Sequence, residues 1–130
     1  ENNEIEGAKL AKRELPRYGF TDDHVDTVVN MILATKIPQD PKTHLEEILC
    51  DADLDYLGRD KEEFDKISSS LAHELIDMKI LKSMEDWDPI QIKFLESHKY
   101  YTKTCINDRR PNKIERLREI KDRLQGPNEE

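Results

Sequence analysis

The sequence contains few of the residues and patterns that mark the common kinds of active site. Its four glycines are isolated, so it has no glycine-rich loop that could bind a phosphate. Its two cysteines, Cys50 and Cys105, have neither the spacing of a zinc site nor that of a disulfide framework. His73-Glu74 begins like a zinc-peptidase motif, but Asp77 stands where the second histidine belongs. These absences exclude the phosphate-loop and zinc-peptidase classes.

The charge balance and the lack of long apolar runs limit the kinds of partner. No transmembrane run, signal peptide or lipidation motif is present, so we expect no membrane association. The net charge of −8 disfavours non-specific binding to nucleic acid or to an anionic membrane surface. Both cysteines fall on predicted apolar helix faces, which suits a reducing compartment. We therefore predict a cytoplasmic protein.

The apolar residues of the chain recur at helical spacing, and no segment reads convincingly as a strand. Thr21, Thr43 and Asp60 each precede such a segment and are typical N-terminal caps. The predicted helices lie at residues 4–15, 21–36, 43–57, 60–78, 88–106 and 113–125. The sequence thus predicts an all-α fold, a compact helical domain of about six helices over residues 1–125, followed by a flexible tail at 126–130.

The third predicted helix carries three alternate aspartates, and only one of them falls on its apolar side. Its apolar stripe consists of Leu45, Ile48, Leu49, Ala52 and Tyr56, widened by Cys50, Leu54 and Leu57. Asp53 lies inside this widened arc, whereas Asp51 and Asp55 fall on the polar face. We therefore predict that Asp53 points inward, where a carboxylate needs a cation, a proton or several hydrogen bonds. A structural ion pair would explain an inward acid equally well.

A calcium loop is a weaker explanation of the same aspartates. Asp51, Asp53, Asp55 and Glu62 have the spacing of positions one, three, five and twelve of such a loop. Its sixth position, however, is Tyr56 where a glycine is needed for the sharp turn. The apolar stripe also continues through the segment, which favours a helix.

Basic and histidine residues give further candidates. Lys36 ends the second predicted helix on its apolar side, where it could pair with Asp53 or bind a phosphate. His98 falls within an apolar stripe and is more typical of a hydrogen-bonded core residue than of a metal ligand. Lys99 and Lys103 beside Tyr100-Tyr101, and the pair Arg109-Arg110, are more often solvated surface than a binding site.

Several stretches resemble the second half of an HD-domain metal-dependent phosphohydrolase. Residues 32–36 (ILATK), a proline-containing loop and residues 47–59 (EILCDADLDYLGR) carry the resemblance most specifically. Residues 3–11 (NEIEGAKLA) and 94–102 (FLESHKYYT) are similar to flanking helices of bacterial members. The resemblance spans nearly the whole chain and implies an all-helical fold.

Membership of this family would imply one or two divalent metal ions (Mg, Mn or Fe) that activate water for hydrolysis of a phosphate ester. The later aspartate of the family maps to Asp53, with Asp51 as the less favoured alternative, and Lys36 and Arg59 would contact the phosphate. The family's first histidine and its His-Asp pair have no counterpart, because none of the four histidines precedes an aspartate. A complete metal site would need those ligands from an upstream segment.

Two functions therefore remain open from the sequence. The first is part of a metal-dependent phosphohydrolase that acts on a nucleotide or another phosphate ester. The second is a non-catalytic helical interaction or regulatory module in which Asp53 belongs to a structural ion pair. In either case, a face left bare by absent first helices could pair with a second copy of the chain, which would make a homo-oligomer.

Overall fold

The computed structural model describes residues 3–126, and this part of the chain is all-α, as predicted. It contains seven α-helices and no strand. The α-helices are α1 (Asn3–Glu14), α2 (Asp22–Ala34), α3 (His44–Asp53), α4 (Lys61–Asp77), α5 (Trp87–Ser97), α6 (Lys103–Asp108) and α7 (Arg110–Gln125). Short 3-10 helices lie at Leu15–Tyr18, Asp55–Gly58 and Met84–Asp86. Among these residues, no helix has the length and apolar character needed to cross a bilayer.

The chain divides between Leu54 and Asp55 into two helical units. The first contains α1 to α3 and the second contains α4 to α7. The predicted domain limits of 1–125 remain a prediction, and residues 127–130 of the predicted tail lie outside the described residues.

The core of the first unit lies between α1 and α2. Ala8 and Ala11 of α1 meet Val25 and Val29 of α2, and small alanine side chains allow the two helices to approach closely. Thr21 begins α2, since its hydroxyl accepts a hydrogen bond from the backbone N–H of His24. This cap is the one predicted from the sequence.

Thr43 caps the start of α3, also as predicted. The Thr43 hydroxyl accepts from the Glu46 backbone N–H at 3.2 Å and donates to the Glu46 carboxylate at 3.0 Å. The same carboxylate accepts from the backbone N–H of Lys42, which explains how Glu46 can be buried. The Cys50 thiol then donates to the carbonyl of Ala34, joining α3 to the end of α2.

The core of the second unit forms around α4, which Asp60 caps as predicted. Ala72 packs with Leu81 and Trp87, and Leu71, Leu75 and Ile76 flank this cluster. The Trp87 indole N–H donates to the Ser68 hydroxyl at 2.9 Å, and that hydroxyl donates to Gln91 at 2.6 Å. Each polar group in this buried chain is therefore satisfied, as buried groups must be.

The helix predicted over residues 88–106 is wrong in its extent. The structure ends α5 at Ser97, and His98 is extended, with φ −71° and ψ 144°. Thr102 then caps the separate helix α6 by accepting from the Cys105 N–H. The carbonyl of His98 accepts a hydrogen bond from the Lys113 ammonium at 2.6 Å, so a distant side chain stabilises the helix end.

Candidate functional site

The structure reverses the predicted orientation of the aspartates in α3. Asp51, predicted to face outward, is only 2% exposed, whereas Asp53, predicted to point inward, is exposed. Both residues lie within the regular helix, so they do not form a calcium loop. Asp53 as a metal ligand stays a prediction. Its predicted inward orientation, which was one ground for that prediction, is wrong.

The buried side of α3 explains the error. The helix packs through Glu46, Cys50 and Asp51, and Leu54 is buried at its end. Much of the predicted core stripe faces outward instead. Leu45 is 50% exposed, Ile48 is 44% exposed, and Ala52 is exposed. The helical periodicity of the sequence gave the angles between these side chains, but it did not identify which side of α3 would be buried.

The Asp53 carboxylate nevertheless has an unusual electrostatic environment. Partial burial of the group raises its pKa, and repulsion from the carboxylate of Glu4 raises it further. Asp53 forms no salt bridge with any residue that the structure describes, so the predicted structural ion pair is not observed among them. A bound cation would stabilise the charged form of Asp53.

The pKa of the Cys50 thiol is affected by the acidic residues of the same helix. Burial and then the charges of Asp51, Asp53 and Glu46, in that order, together raise its pKa to about 11. The thiol is therefore protonated at neutral pH and serves as a hydrogen-bond donor to Ala34, not as a nucleophile. Negative charge on α3 is thus concentrated around the helix turn that contains the aspartates.

Lys36 is exposed in the loop after α2 and lines a shallow cavity of about 380 Å³. Lys42 lines the same cavity, together with the acidic residues Asp40 and Glu46. Lys36 forms no salt bridge with Asp53 or with another described carboxylate. The predicted Lys36–Asp53 pair is therefore not observed, while its ammonium group remains available to an anion.

Arg59 in the second unit is engaged in a different interaction from the predicted one. Its guanidinium donates to the Asp55 carboxylate at 2.6 Å, and Arg109 donates to the other oxygen at 2.7 Å. Burial alone would raise the pKa of Asp55, but the hydrogen bonds from Arg109 and Arg59 outweigh it and lower the pKa. This contact engages one of the five N–H donors of Arg59, and its contact with a phosphate stays a prediction.

The metal-ligand set is incomplete within the described residues. No group of three or more His, Cys, Asp or Glu side chains there could hold a metal ion. His98, the one histidine predicted within an apolar stripe, is buried in the second unit beside Lys113 and Tyr100. Asp53 and Glu4 are only two candidate ligand residues, which is fewer than a tight divalent site requires.

A larger basic cavity lies in the second unit, and sequence reasoning missed it as a site. It measures about 700 Å³ and is lined by residues of the segment 95–121. Its cationic residues are Lys99, Arg110, Lys113 and Lys121. Lys99 and Arg110 were expected to be ordinary surface, and nothing in the polar sequence of α7 indicated that Lys113 would be buried.

Comparison with known proteins gives no match for this chain: no family model, no curated protein and no solved structure matches it.

Proposed function

We propose that the first unit contributes Asp53 to the metal site of a phosphohydrolase that cleaves a nucleotide or another phosphate ester. The observation that carries the proposal is that the Asp53 carboxylate on α3 has no basic partner among the described residues, while partial burial and then the charge of Glu4 raise its pKa. A bound cation would stabilise the charged form of a carboxylate in such surroundings. The resemblance of residues 32–36 and 47–59 to HD-domain enzymes supports the same assignment.

The two carboxylates do not make a complete site, so the enzyme needs further ligands from outside residues 3–126. In the family these are a histidine and a His-Asp pair, which the sequence does not contain. When bound, a divalent ion (Mg, Mn or Fe) would supply an activated water and neutralise the ester. In this chain, the Asp53 carboxylate would bind the metal ion, and the Lys36 ammonium would bind the phosphate group. The two cysteines, neither in a disulfide, support a cytoplasmic location.

Titration with Mn²⁺, followed by electron paramagnetic resonance, tests the ligand assignment on the chain itself. We expect weak binding that Asp53→Asn reduces about tenfold or more, because the site loses one of its charged ligands. Asp26→Asn is the matched control, since Asp26 is an exposed aspartate of the same unit that makes no described ion pair. Equal Mn²⁺ affinity in the wild type and in Asp53→Asn would remove Asp53 from the site.

Catalysis requires the missing ligands and is tested separately. The open reading frame that encodes this chain should place a His-Asp pair upstream of residue 1. The protein that includes it should hydrolyse phosphate esters in the presence of Mn²⁺ or Mg²⁺, and Asp53→Ala should abolish that activity. A reading frame without a His-Asp pair would contradict the enzyme proposal.

The alternative is a non-catalytic helical interaction module. The outward-facing side chains of Leu45 and Ile48 on α3 favour it, because exposed apolar stripes often mark contact surfaces. The same stripe would serve a homo-oligomer, and sedimentation of wild type against Ile48→Glu would separate a self-associating chain from a monomer. Loss of a larger species in Ile48→Glu would support self-association, and a monomeric wild type would contradict it.

A further inference from the structure

The second unit has a cavity whose basic side chains mostly lack acidic partners. Of its four cationic residues, Lys121 pairs with Glu96 at 3.1 Å. Lys99, Arg110 and Lys113 form no salt bridge with a carboxylate of the described residues. In a chain whose net charge is −8, three unneutralised cations around one cavity create a local site for an anion.

Lys113 is the most informative of these residues because it is only 8% exposed. Its ammonium donates to the His98 carbonyl at 2.6 Å and lies 3.2 Å from His98 Nδ1 and 5.6 Å from the ring centre of Tyr100. None of these contacts brings a negative charge that would balance the ammonium group. Burial lowers the pKa of Lys113, and repulsion from Arg110 lowers it further. A bound anion would offset both effects.

Four of the other lining residues are apolar, namely Leu95, Ile106, Ile114 and Leu117, and they lie beside Glu96, His98 and Tyr100. Ile114 is 54% exposed, so part of this apolar wall is open to a ligand. A volume of about 700 Å³ is within the range typical of small-molecule sites, and apolar walls with a few converging charges are their usual composition. The cavity therefore fits a ligand with an anionic group attached to an apolar or aromatic body.

We propose that this cavity binds a small phosphate ester, whose phosphate contacts Arg110 and Lys113 and whose organic part lies against Leu95 and Ile114. A doubly charged phosphate suits several converging cations better than a single carboxylate does. The proposal is independent of the metal site proposed for Asp53, since every lining residue belongs to the second unit.

Isothermal titration calorimetry with phenyl phosphate, in EDTA to remove metal ions, tests the proposal on the full chain. We expect saturable binding that Arg110→Gln weakens about tenfold, as loss of one charge-assisted hydrogen bond would. Lys103→Gln is the matched control, because Lys103 is an exposed lysine of the same unit that does not line the cavity. This control should change the affinity less than twofold. Asp53→Asn should leave the affinity unchanged.

Two comparison ligands make the test specific. Inorganic phosphate should bind at least tenfold more weakly than phenyl phosphate, because it cannot use the apolar walls. Benzoate should also bind more weakly, because it carries one charge. Lys113→Met removes the buried charge but also the bond to the His98 carbonyl, so its folding is checked by circular dichroism and Arg110→Gln carries the conclusion.

Three results would overturn the proposal. Absence of phenyl phosphate binding at millimolar concentration would show that the cavity takes no phosphate ester. Equal affinity in Arg110→Gln and wild type would place the ligand elsewhere. Benzoate binding as tightly as phenyl phosphate would exclude phosphate as the recognised group.

Discussion

Replacing Gly58 by alanine should destabilise the second unit, because the backbone of Arg109 lies where the new methyl group would be. A Cβ built on Gly58 would be 2.7 Å from the Arg109 carbonyl carbon and 2.5 Å from the Arg109 Cβ, and closer still to the carbonyl oxygen. Asn112 reinforces this approach by donating to the Gly58 carbonyl at 3.1 Å. The start of α7 can therefore move away only if this contact is broken.

The magnitude follows from two opposing effects. Carbon atoms pack at about 3.5–4.0 Å, so the methyl group would push the Arg109 backbone by roughly 1 Å. Overpacking of this kind typically costs about 1–3 kcal/mol. Alanine also restricts the unfolded chain more than glycine does, which returns about 0.4–1 kcal/mol. We expect a net loss of about 1–2 kcal/mol in the free energy of unfolding, or roughly 4–8 °C in Tm.

Thermal unfolding followed by tryptophan fluorescence measures the loss of stability in the second unit, which contains Gly58. Trp87 is the only tryptophan, and it is buried in the second unit. Gly7→Ala is the matched control, since its Cβ would lie 3.4 Å from Ile32 Cγ2, an ordinary contact, within helix α1. That variant should be neutral or stabilised by up to about 1 kcal/mol. A Gly58→Ala protein that melts at or above the wild-type temperature would refute the close packing of α7 on this turn.

Three further predictions concern buried and ionised groups. Hydrogen bonds from Arg109 and Arg59 lower the pKa of Asp55. Its ion pairs therefore contribute fully to stability above about pH 4, and this contribution is lost as the pH falls through the lowered pKa. Urea unfolding should therefore show Asp55→Asn less stable than wild type by about 1–2 kcal/mol at pH 7, with a smaller gap at pH 3; an unchanged gap would contradict this. Ser68→Ala should cost about 1–3 kcal/mol, because it leaves the Trp87 indole N–H without its acceptor, and a Trp87 melting curve equal to wild type would contradict this. In the native protein an alkylating reagent should modify half-buried Cys105 before Cys50, because Cys50 is fully buried and its pKa is about 11. Mass spectrometry of the digested protein identifies the order of labelling, and faster labelling of Cys50 would contradict the prediction.

Short-range signals in the sequence were enough to predict most helix starts. Thr21, Thr43 and Asp60 each cap the helix that follows, and a capping hydrogen bond spans only three residues. The all-α class followed from helical periodicity in the same way. The end of α5 was missed, and the contact that the structure shows there is a long-range one: Lys113, 15 positions beyond His98, donates to the His98 carbonyl.

The candidate sites depend on long-range packing more than the helix starts do. The sequence alone determined that the chain is helical, where most of its helices begin, and that carboxylates are concentrated on the third helix. Only the tertiary structure decided that Asp51 is buried and Asp53 exposed, and that Lys113 lines a cavity with Arg110. The physical reason is that a helical pattern sets the angles between side chains, whereas the neighbouring helices determine which of those side chains lose their contact with water.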